Sequence, residues 1–174
     1  DFETLEYAAS DATVVSVDVR LYDGDEASSI DPSIYKPQYY GGAYFLRYVP
    51  EFSEECAEVW YMLVTDMDFS GESDEVVLSY IMGNGFESDS PMMDITGIPD
   101  GIMAYAYIVA QNERGEFGNI YRCDGFEAIE ANLSPVEELF PESNSKSGVS
   151  SVAFSSVGKM CPKAVNSMKV VSVL

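Results

Sequence analysis

The sequence predicts an all-β protein, a sandwich of two sheets with one short helix. Residues 13–22 place aliphatic side chains at every second position, which is the period of a strand with one buried face. Residues 57–65 are apolar at almost every position, and this predicts a central strand that is covered on both faces. Trp60, the single tryptophan of the chain, is expected to anchor the core between the two sheets.

The remaining strands are apolar runs that lie between turn-forming residues. They are predicted at residues 43–49, 92–96, 103–111 and 117–122, the last two as a hairpin. Pro50 is expected to end the first of these strands, since a proline has no N–H to donate to a sheet. The sequence Asp23-Gly24-Asp25 is expected to form a turn after the opening strand.

One helix is predicted among the strands, between residues 73 and 83. Ser73 is a favourable N-cap, and the acids that follow it suit the positive end of a helix dipole. Gly83 is expected to end the helix. The residues that recur at helical spacing, and are expected to pack on the sandwich, are Val76, Val77, Tyr80 and Ile81.

The net charge of −21 is divided unevenly along the chain. Thirty acidic and five basic residues lie in residues 1–142, a net charge of −25, whereas residues 143–174 carry four lysines and no acid. An acidic body repels phosphate backbones, which argues against nucleic acid as a partner. The charge therefore serves solubility, or it attracts calcium or a basic partner. No run approaches the roughly 20 apolar residues that a membrane-spanning helix needs.

The residue types exclude several catalytic chemistries. The chain has no histidine, which removes the usual base for a serine or cysteine nucleophile and a common zinc ligand. With 30 acids, some pair of carboxylates lies at any chosen separation, so a carboxylate-based glycosidase is only a remote alternative. Cys56, Cys123 and Cys161 match no zinc or redox spacing, and whether any two of them pair is left open. We therefore expect neither an enzyme nor a bound cofactor.

Asp66 and Asp68 are weak candidates for a metal site. The sequence Asp66-Met-Asp68-Phe-Ser-Gly reproduces the opening of a calcium-binding EF-hand loop. The twelfth position is Val77, however, where that loop requires a bidentate glutamate. The segment also follows a strand, whereas an EF-hand loop follows a helix. We interpret both aspartates as residues that lead into the helix and expect no metal there.

Tyr35, Tyr39 and Tyr40 are weak candidates for a binding surface. They share the loop 35–42 between the first two strands. Aromatic rings on a loop can stack against a sugar or anchor a protein interface. They can also fold back and cover an open end of the sandwich, which we expect of Tyr35 in particular. Exposed rings would favour binding, and buried rings would favour a covering role.

Two stretches of the sequence indicate a family. Residues 98–101 (Ile-Pro-Asp-Gly) and 108–115 (Ile-Val-Ala-Gln-Asn-Glu-Arg-Gly) resemble the E–F turn, F strand and F–G turn of fibronectin type III domains. Residues 58–77 and 19–25 are similar to fibronectin-like modules of multi-domain Bacteroidales surface lipoproteins. The family's corner tyrosine falls on Ala104, one place before Tyr105. Either strand F carries a one-residue bulge, or the corner hydrogen bond is missing.

The resemblance implies an immunoglobulin-like, fibronectin type III-like sandwich over residues 13–126. It also implies a place outside the inner membrane, secreted or anchored at the outer-membrane surface. The expected function is a non-catalytic binding or adhesion module for a protein or glycan, and the alternative is a passive spacer within a multi-domain lipoprotein. A short sequence echo between residues 2–6 and 126–130 suggests that residues 1–12 are a linker from a preceding module. Residues 127–174 are expected to be a linker and a basic Ser/Lys/Val-rich appendage that docks on the acidic body.

Overall fold

The computed structural model describes residues 10–33, 44–88 and 92–139, and within them the chain is mostly β. The strands are β1 (Val14–Asp23), β2 (Tyr44–Phe52), β3 (Glu58–Thr65), β4 (Phe86–Ser88), β5 (Met93–Ile98), β6 (Ile102–Gln111), β7 (Tyr121–Arg122) and β8 (Phe126–Ala128). The helices are α1 (Gly24–Ile30) and α2 (Asp74–Asn84), followed later by 3₁₀ turns at Glu130–Asn132 and Val136–Leu139.

The strands form two antiparallel sheets that pack face to face. The first sheet has the order β1-β2-β5, and the second has the order β4-β3-β6-β7, with β8 also paired to β6. Alternate side chains of both sheets meet in one buried cluster, which includes Leu21, Leu46, Ile95, Tyr61 and Ile108. The prediction of an all-β, two-sheet architecture is confirmed.

Helical segments cover part of the outer face of each sheet. On the first sheet, Tyr22 and Phe45 are buried with Ala27 of α1 and Val136 of the second 3₁₀ turn. On the second sheet, the buried outer cluster joins strand residues to α2. Its members are Met62, Tyr107 and Val109 from the strands, and Val77 and Ile81 from the helix. Both sheets therefore carry apolar side chains on their two faces, as the unbroken apolar run of β3 predicts.

The position predicted for Trp60 is wrong. Val59 and Tyr61 of β3 lie in the cluster between the sheets, so the alternation of the strand turns Trp60 to the outer face. There the indole packs beside α2 and is only partly buried. A run that is apolar on both faces does not reveal which of its residues face the second sheet.

Pro50 does not end its strand, because β2 continues to Phe52. Pro50 pairs with Val17 of β1, but on the other side the pairing with β5 stops at Tyr48 and Met93. The proline therefore lies where β2 has a neighbour on one side only. At such a position a missing N–H does not interrupt a ladder between two strands.

Where a turn was expected after Asp23, the chain forms helix α1, which was not predicted. The Asp23 carboxylate accepts a hydrogen bond from the Glu26 N–H at 2.9 Å, which is an N-cap contact. The seven-residue helix then buries Ala27 against the first sheet. The prediction of a single helix was therefore incomplete.

Helix α2 begins at Ser73 as predicted, but it does not end at Gly83. It continues to Asn84, and the Gly85 N–H bonds to the Ile81 carbonyl oxygen at 2.7 Å. Of the four residues predicted to face the sandwich, Val77 and Ile81 are buried, whereas Val76 and Tyr80 are exposed. Fewer residues of α2 pack on the sheet than the spacing of its apolar residues suggests.

Strand β6 pairs with β3 in continuous register from Gln111 to Ala104, so no bulge separates Ala104 from Tyr105 on that side. Residues 117–128 line the other side of β6 as an interrupted edge segment. At two places between the paired positions, two residues of β6 are opposed by three residues of the segment. The second sheet therefore ends in an irregular edge.

The described chain is attached at both of its ends to the sandwich. At one end, the Ser10 N–H bonds to the Phe117 carbonyl oxygen at 3.0 Å. At the other end, β8 pairs with β6, and the Ser134 N–H bonds to the Leu21 carbonyl oxygen at 2.7 Å. Residues 127–139, which the sequence places in a linker, thus contact the sheets. Residues 1–9 and 140–174, the rest of the expected linkers and the basic appendage, lie outside the described residues.

Candidate functional site

Asp66 and Asp68 lie in the segment between β3 and α2, and the carboxylate of each accepts hydrogen bonds from other residues of the described chain. Asp66 has a left-handed φ of 55°, and its N–H donates to the Met103 carbonyl oxygen at 2.8 Å. Its carboxylate accepts from the Met103 N–H at 3.3 Å. The Asp68 carboxylate accepts from the Ser70 N–H at 2.7 Å and from the Tyr107 hydroxyl at 3.4 Å. These hydrogen bonds lower the pKa of Asp68 below its usual value, and the bond from the Ser70 N–H has the largest effect.

The same segment is fastened to the second sheet by Tyr107 and Arg122. The Tyr107 hydroxyl accepts from the Phe69 N–H at 2.6 Å. The Arg122 guanidinium donates to the carbonyl oxygens of Phe69, at 2.7 Å, and Glu72, at 2.9 Å, and pairs with Asp74 at 2.5 Å. These contacts give the segment a structural role. In the described part of the chain no three acidic or cysteine side chains form a group that could hold a metal ion.

The tyrosine loop, with Tyr35, Tyr39 and Tyr40, lies outside the described residues. Its flanks are described: α1 ends at Ile30, and β2 begins at Tyr44. Whether the three rings bind a ligand or cover the sandwich therefore stays a prediction.

Helix α2 presents apolar side chains to solvent, which the sequence did not predict. Tyr80 is 45% exposed and Val76 is 38% exposed. The Phe69 ring lies 5.0 Å from the Tyr80 ring, and Val76 is one helical turn before Tyr80. We call Phe69, Val76 and Tyr80 the Tyr80 surface. Four acids border it in sequence, in the preceding segment and the first turn: Asp68, Glu72, Asp74 and Glu75.

An ion pair lies on the outer face of the first sheet. The Arg47 Nε and Nη2 atoms donate to the two carboxylate oxygens of Asp94 at 2.8 and 3.0 Å. The guanidinium carbon also lies 5.2 Å from the centre of the Phe45 ring. Arg47 lies on β2 and Asp94 lies opposite it on β5, so this bidentate ion pair connects two neighbouring strands.

The two described cysteines are at least partly shielded from solvent. Cys56 is buried and Cys123 is partly buried, and neither forms a disulfide within the described residues. Burial raises the pKa of Cys123 to about 12, so its thiol keeps the proton at neutral pH. Cys161 lies outside the described residues.

Comparison of the chain with protein-family models, with curated proteins and with solved structures gave no match. Of the helices in residues 10–33, 44–88 and 92–139, none has the length and apolar character to cross a membrane. The fold defines a class at the level of architecture: a mostly β protein whose two antiparallel sheets are packed face to face.

Proposed function

We propose that the chain is a fibronectin type III-like binding module of a bacterial surface protein, and not an enzyme. The strand order supports the fold type. The first, second and fifth strands form one sheet, and the third, fourth, sixth and seventh form the other. A constant-type immunoglobulin-like sandwich places strands A, B, E and D in one sheet and C, F and G in the other. The division agrees for six strands, whereas β4 joins the second sheet, in which β8 also pairs with β6. The extracytoplasmic location and the neighbouring modules are proposed on the sequence resemblance alone.

The observation that carries a binding role is the Tyr80 surface. Single exposed apolar residues are ordinary on a protein surface. Here two aromatic rings are in contact, an aliphatic side chain lies one turn away, and acids border the group. An aromatic centre with a polar rim is the usual composition of a protein interface. Because the rim and the whole body are acidic, we propose that the partner is a protein with a basic surface.

Panning a library of random displayed peptides against the immobilised chain tests this proposal. Enriched peptides should combine lysine or arginine with an apolar residue, and they should bind Tyr80→Ser at least ~10-fold more weakly. Ile30→Ser is the matched control, since Ile30 is 48% exposed at the end of α1. Peptides that bind Tyr80→Ser as well as the unmodified chain would contradict the assignment of the surface.

A passive spacer is the second candidate function. It is favoured by the covering of both outer sheet faces, where Val136 and α1 pack on the first sheet and α2 packs on the second. A spacer predicts no enriched peptide that depends on Tyr80. A spacer also predicts no signal on a glycan array. Glycan binding that persists in Tyr80→Ser would instead favour a binding role for Tyr35, Tyr39 and Tyr40.

A further inference from the structure

The turn 69–72, which carries one ring of the Tyr80 surface, is held to the second sheet by a single guanidinium. The Glu72 N–H bonds to the Phe69 carbonyl oxygen at 3.1 Å, which closes the turn. Arg122 donates to the same carbonyl oxygen at 2.7 Å and to the Glu72 carbonyl oxygen at 2.9 Å. Arg122 therefore binds the backbone at both ends of the turn.

Tyr107 fixes the Phe69 ring from the neighbouring strand, where it is paired with Arg122. Its hydroxyl accepts from the Phe69 N–H at 2.6 Å, and the two rings meet edge to face with their centres 5.6 Å apart. Within residues 66–73 only Phe69 is partly buried, and the others are exposed. Specific contacts, and not general burial, therefore set the position of the turn. A turn that is ordered in the free protein loses less conformational entropy when a partner binds.

The four acids that border the Tyr80 surface differ in what they already bind. The carboxylates of Asp68 and Asp74 bind groups of the fold. Those of Glu72 and Glu75 have no hydrogen-bond or ion-pair partner within the described residues. Glu75 lies five residues before Tyr80, which is about 140° around the helix, so it faces another direction. The first and fourth Cα atoms of a β-turn lie within about 7 Å, so Glu72 is the unpaired carboxylate beside the rings.

Given the binding role proposed above, we propose that Arg122 is a positioning residue of the Tyr80 surface and that Glu72 binds a cation of the partner. Arg122 holds the carbonyl oxygens of the turn, so the Phe69 ring and the Glu72 carboxylate are presented together before a partner arrives. The rings take an apolar side chain of the basic partner, and Glu72 pairs with a lysine or arginine near it.

Arg122 has a charge of the same sign as the partner, and this separates positioning from simple electrostatics. If only its charge mattered, Arg122→Gln would make the surface more acidic, and a basic peptide would bind more tightly. If Arg122 positions the turn, the same substitution should weaken binding by ~5-fold or more. Arg114→Gln is the matched control, because Arg114 is 72% exposed and is paired with Glu116 at 2.9 Å, away from this turn. It removes the same charge and should not weaken binding.

Fluorescence anisotropy with a labelled peptide from the panning above measures the affinities at low and high salt, and circular dichroism shows whether each variant is folded. Glu72→Gln should weaken binding by ~5-fold or more at low salt, with a smaller effect at high salt. Glu75→Gln is the matched control, since it removes the same charge from another face of the helix. It should weaken binding clearly less than Glu72→Gln does.

A measurement without peptide separates positioning from a general loss of stability. In the unmodified chain, nuclear Overhauser contacts should join the ring protons of Phe69 and Tyr80, whose centres lie 5.0 Å apart. Arg122→Gln should lose these contacts while the chemical shifts of the first sheet stay unchanged. Arg122→Lys is the milder variant: it keeps the charge but lacks the planar fork that binds two carbonyl oxygens, and it should weaken the contacts.

The outcomes distinguish the two roles from the proposed function. If no enriched peptide depends on Tyr80, the proposed function and both roles are wrong. If Tyr80→Ser weakens binding but Arg122→Gln leaves it unchanged or tightens it, or keeps the ring contacts, only the positioning role is wrong. If Glu72→Gln and Glu75→Gln lose the same affinity, only the role of Glu72 is wrong. Weaker binding in Arg122→Gln and in Glu72→Gln, with both control variants close to the unmodified chain, supports both roles.

Discussion

Two buried tyrosines of this fold predict opposite effects for the same chemical change. Tyr48 and Tyr107 are each at most 1% exposed. The Tyr107 hydroxyl accepts from the Phe69 N–H and donates to Asp68. The Tyr48 hydroxyl has no hydrogen-bond partner among the described residues, and burial raises its pKa. Replacing each by phenylalanine removes one oxygen atom and leaves the ring in place.

Tyr48→Phe should stabilise the protein. A buried polar group without a partner costs about 1–3 kcal/mol, and the substitution removes that cost. We expect the free energy of unfolding to rise by about 1–2 kcal/mol, which corresponds to a Tm increase of about 2–8 °C for a chain of this size. Tyr107→Phe leaves the Phe69 N–H without its acceptor and should lower the free energy of unfolding by about 1–3 kcal/mol.

Urea unfolding followed by circular dichroism measures both variants under the same conditions. The two variants can be compared directly, because each substitution removes one hydroxyl oxygen from a tyrosine that is at most 1% exposed. If Tyr48→Phe destabilises the protein as much as Tyr107→Phe does, the Tyr48 hydroxyl has a hydrogen-bond partner and the reasoning is refuted.

Three further predictions concern alkaline pH, calcium and the tryptophan. Burial raises the pKa of Cys123 from 9.0 to about 12, so the stability that its protonated thiol contributes is present below pH 9.0 and is lost as the pH rises towards 12. Urea titrations across this range should show a smaller loss for Cys123→Ala, and an equal loss would contradict the assignment. Calorimetric titration with calcium should show no site tighter than about millimolar, and micromolar binding abolished by Asp68→Ala would disprove this. Trp60→Ala should lower the free energy of unfolding by about 2–4 kcal/mol, since the ring packs beside α2 but is partly exposed. A loss below about 1 kcal/mol would mean that the indole contributes little to packing.

The sequence predicted the five longest strands, β1, β2, β3, β5 and β6, because each has a local signal, whereas the three-residue strands β4 and β8 were not predicted and β7 is shorter than predicted. Alternation in β1 and the apolar run of β3 depend only on neighbouring positions, and so does the Ser73 cap of α2. The side on which Trp60 lies has no local signal, because it depends on which face of β3 meets the other sheet. Helix α1 was missed since its seven residues are mostly polar and bury only Gly24 and Ala27.

The contacts that build the candidate site could not be predicted from the sequence. Arg122 reaches Phe69 across 53 residues, and Tyr107 reaches it across 38. Such pairings follow from the order of strands in the sheet, which the sequence pattern does not encode directly. The exposure of Tyr80 could not be predicted either. Its spacing along α2 fits the face that packs on the sheet, but only Val77 and Ile81 of that face are buried there.

The two attachments of the described chain have a mechanical consequence. The segment before β1 is fastened near Phe117, whereas the segment after β8 is fastened beside Leu21, close to the other end of β1. A pulling force between Ser10 and Leu139 would load the long β1–β2 ladder in shear, so that many hydrogen bonds resist together. On the other side, residues 133–139 are held by the bridge and the hydrogen bond at Leu21, by the packing of Val136 and by the Arg20–Glu138 ion pair. These contacts are fewer than those of the β1–β2 ladder, so this segment would separate first. Tension would then remove Val136 from Tyr22 and Phe45 while Ala27 of α1 still packs against them, so that part of this covered aromatic face would become exposed under force.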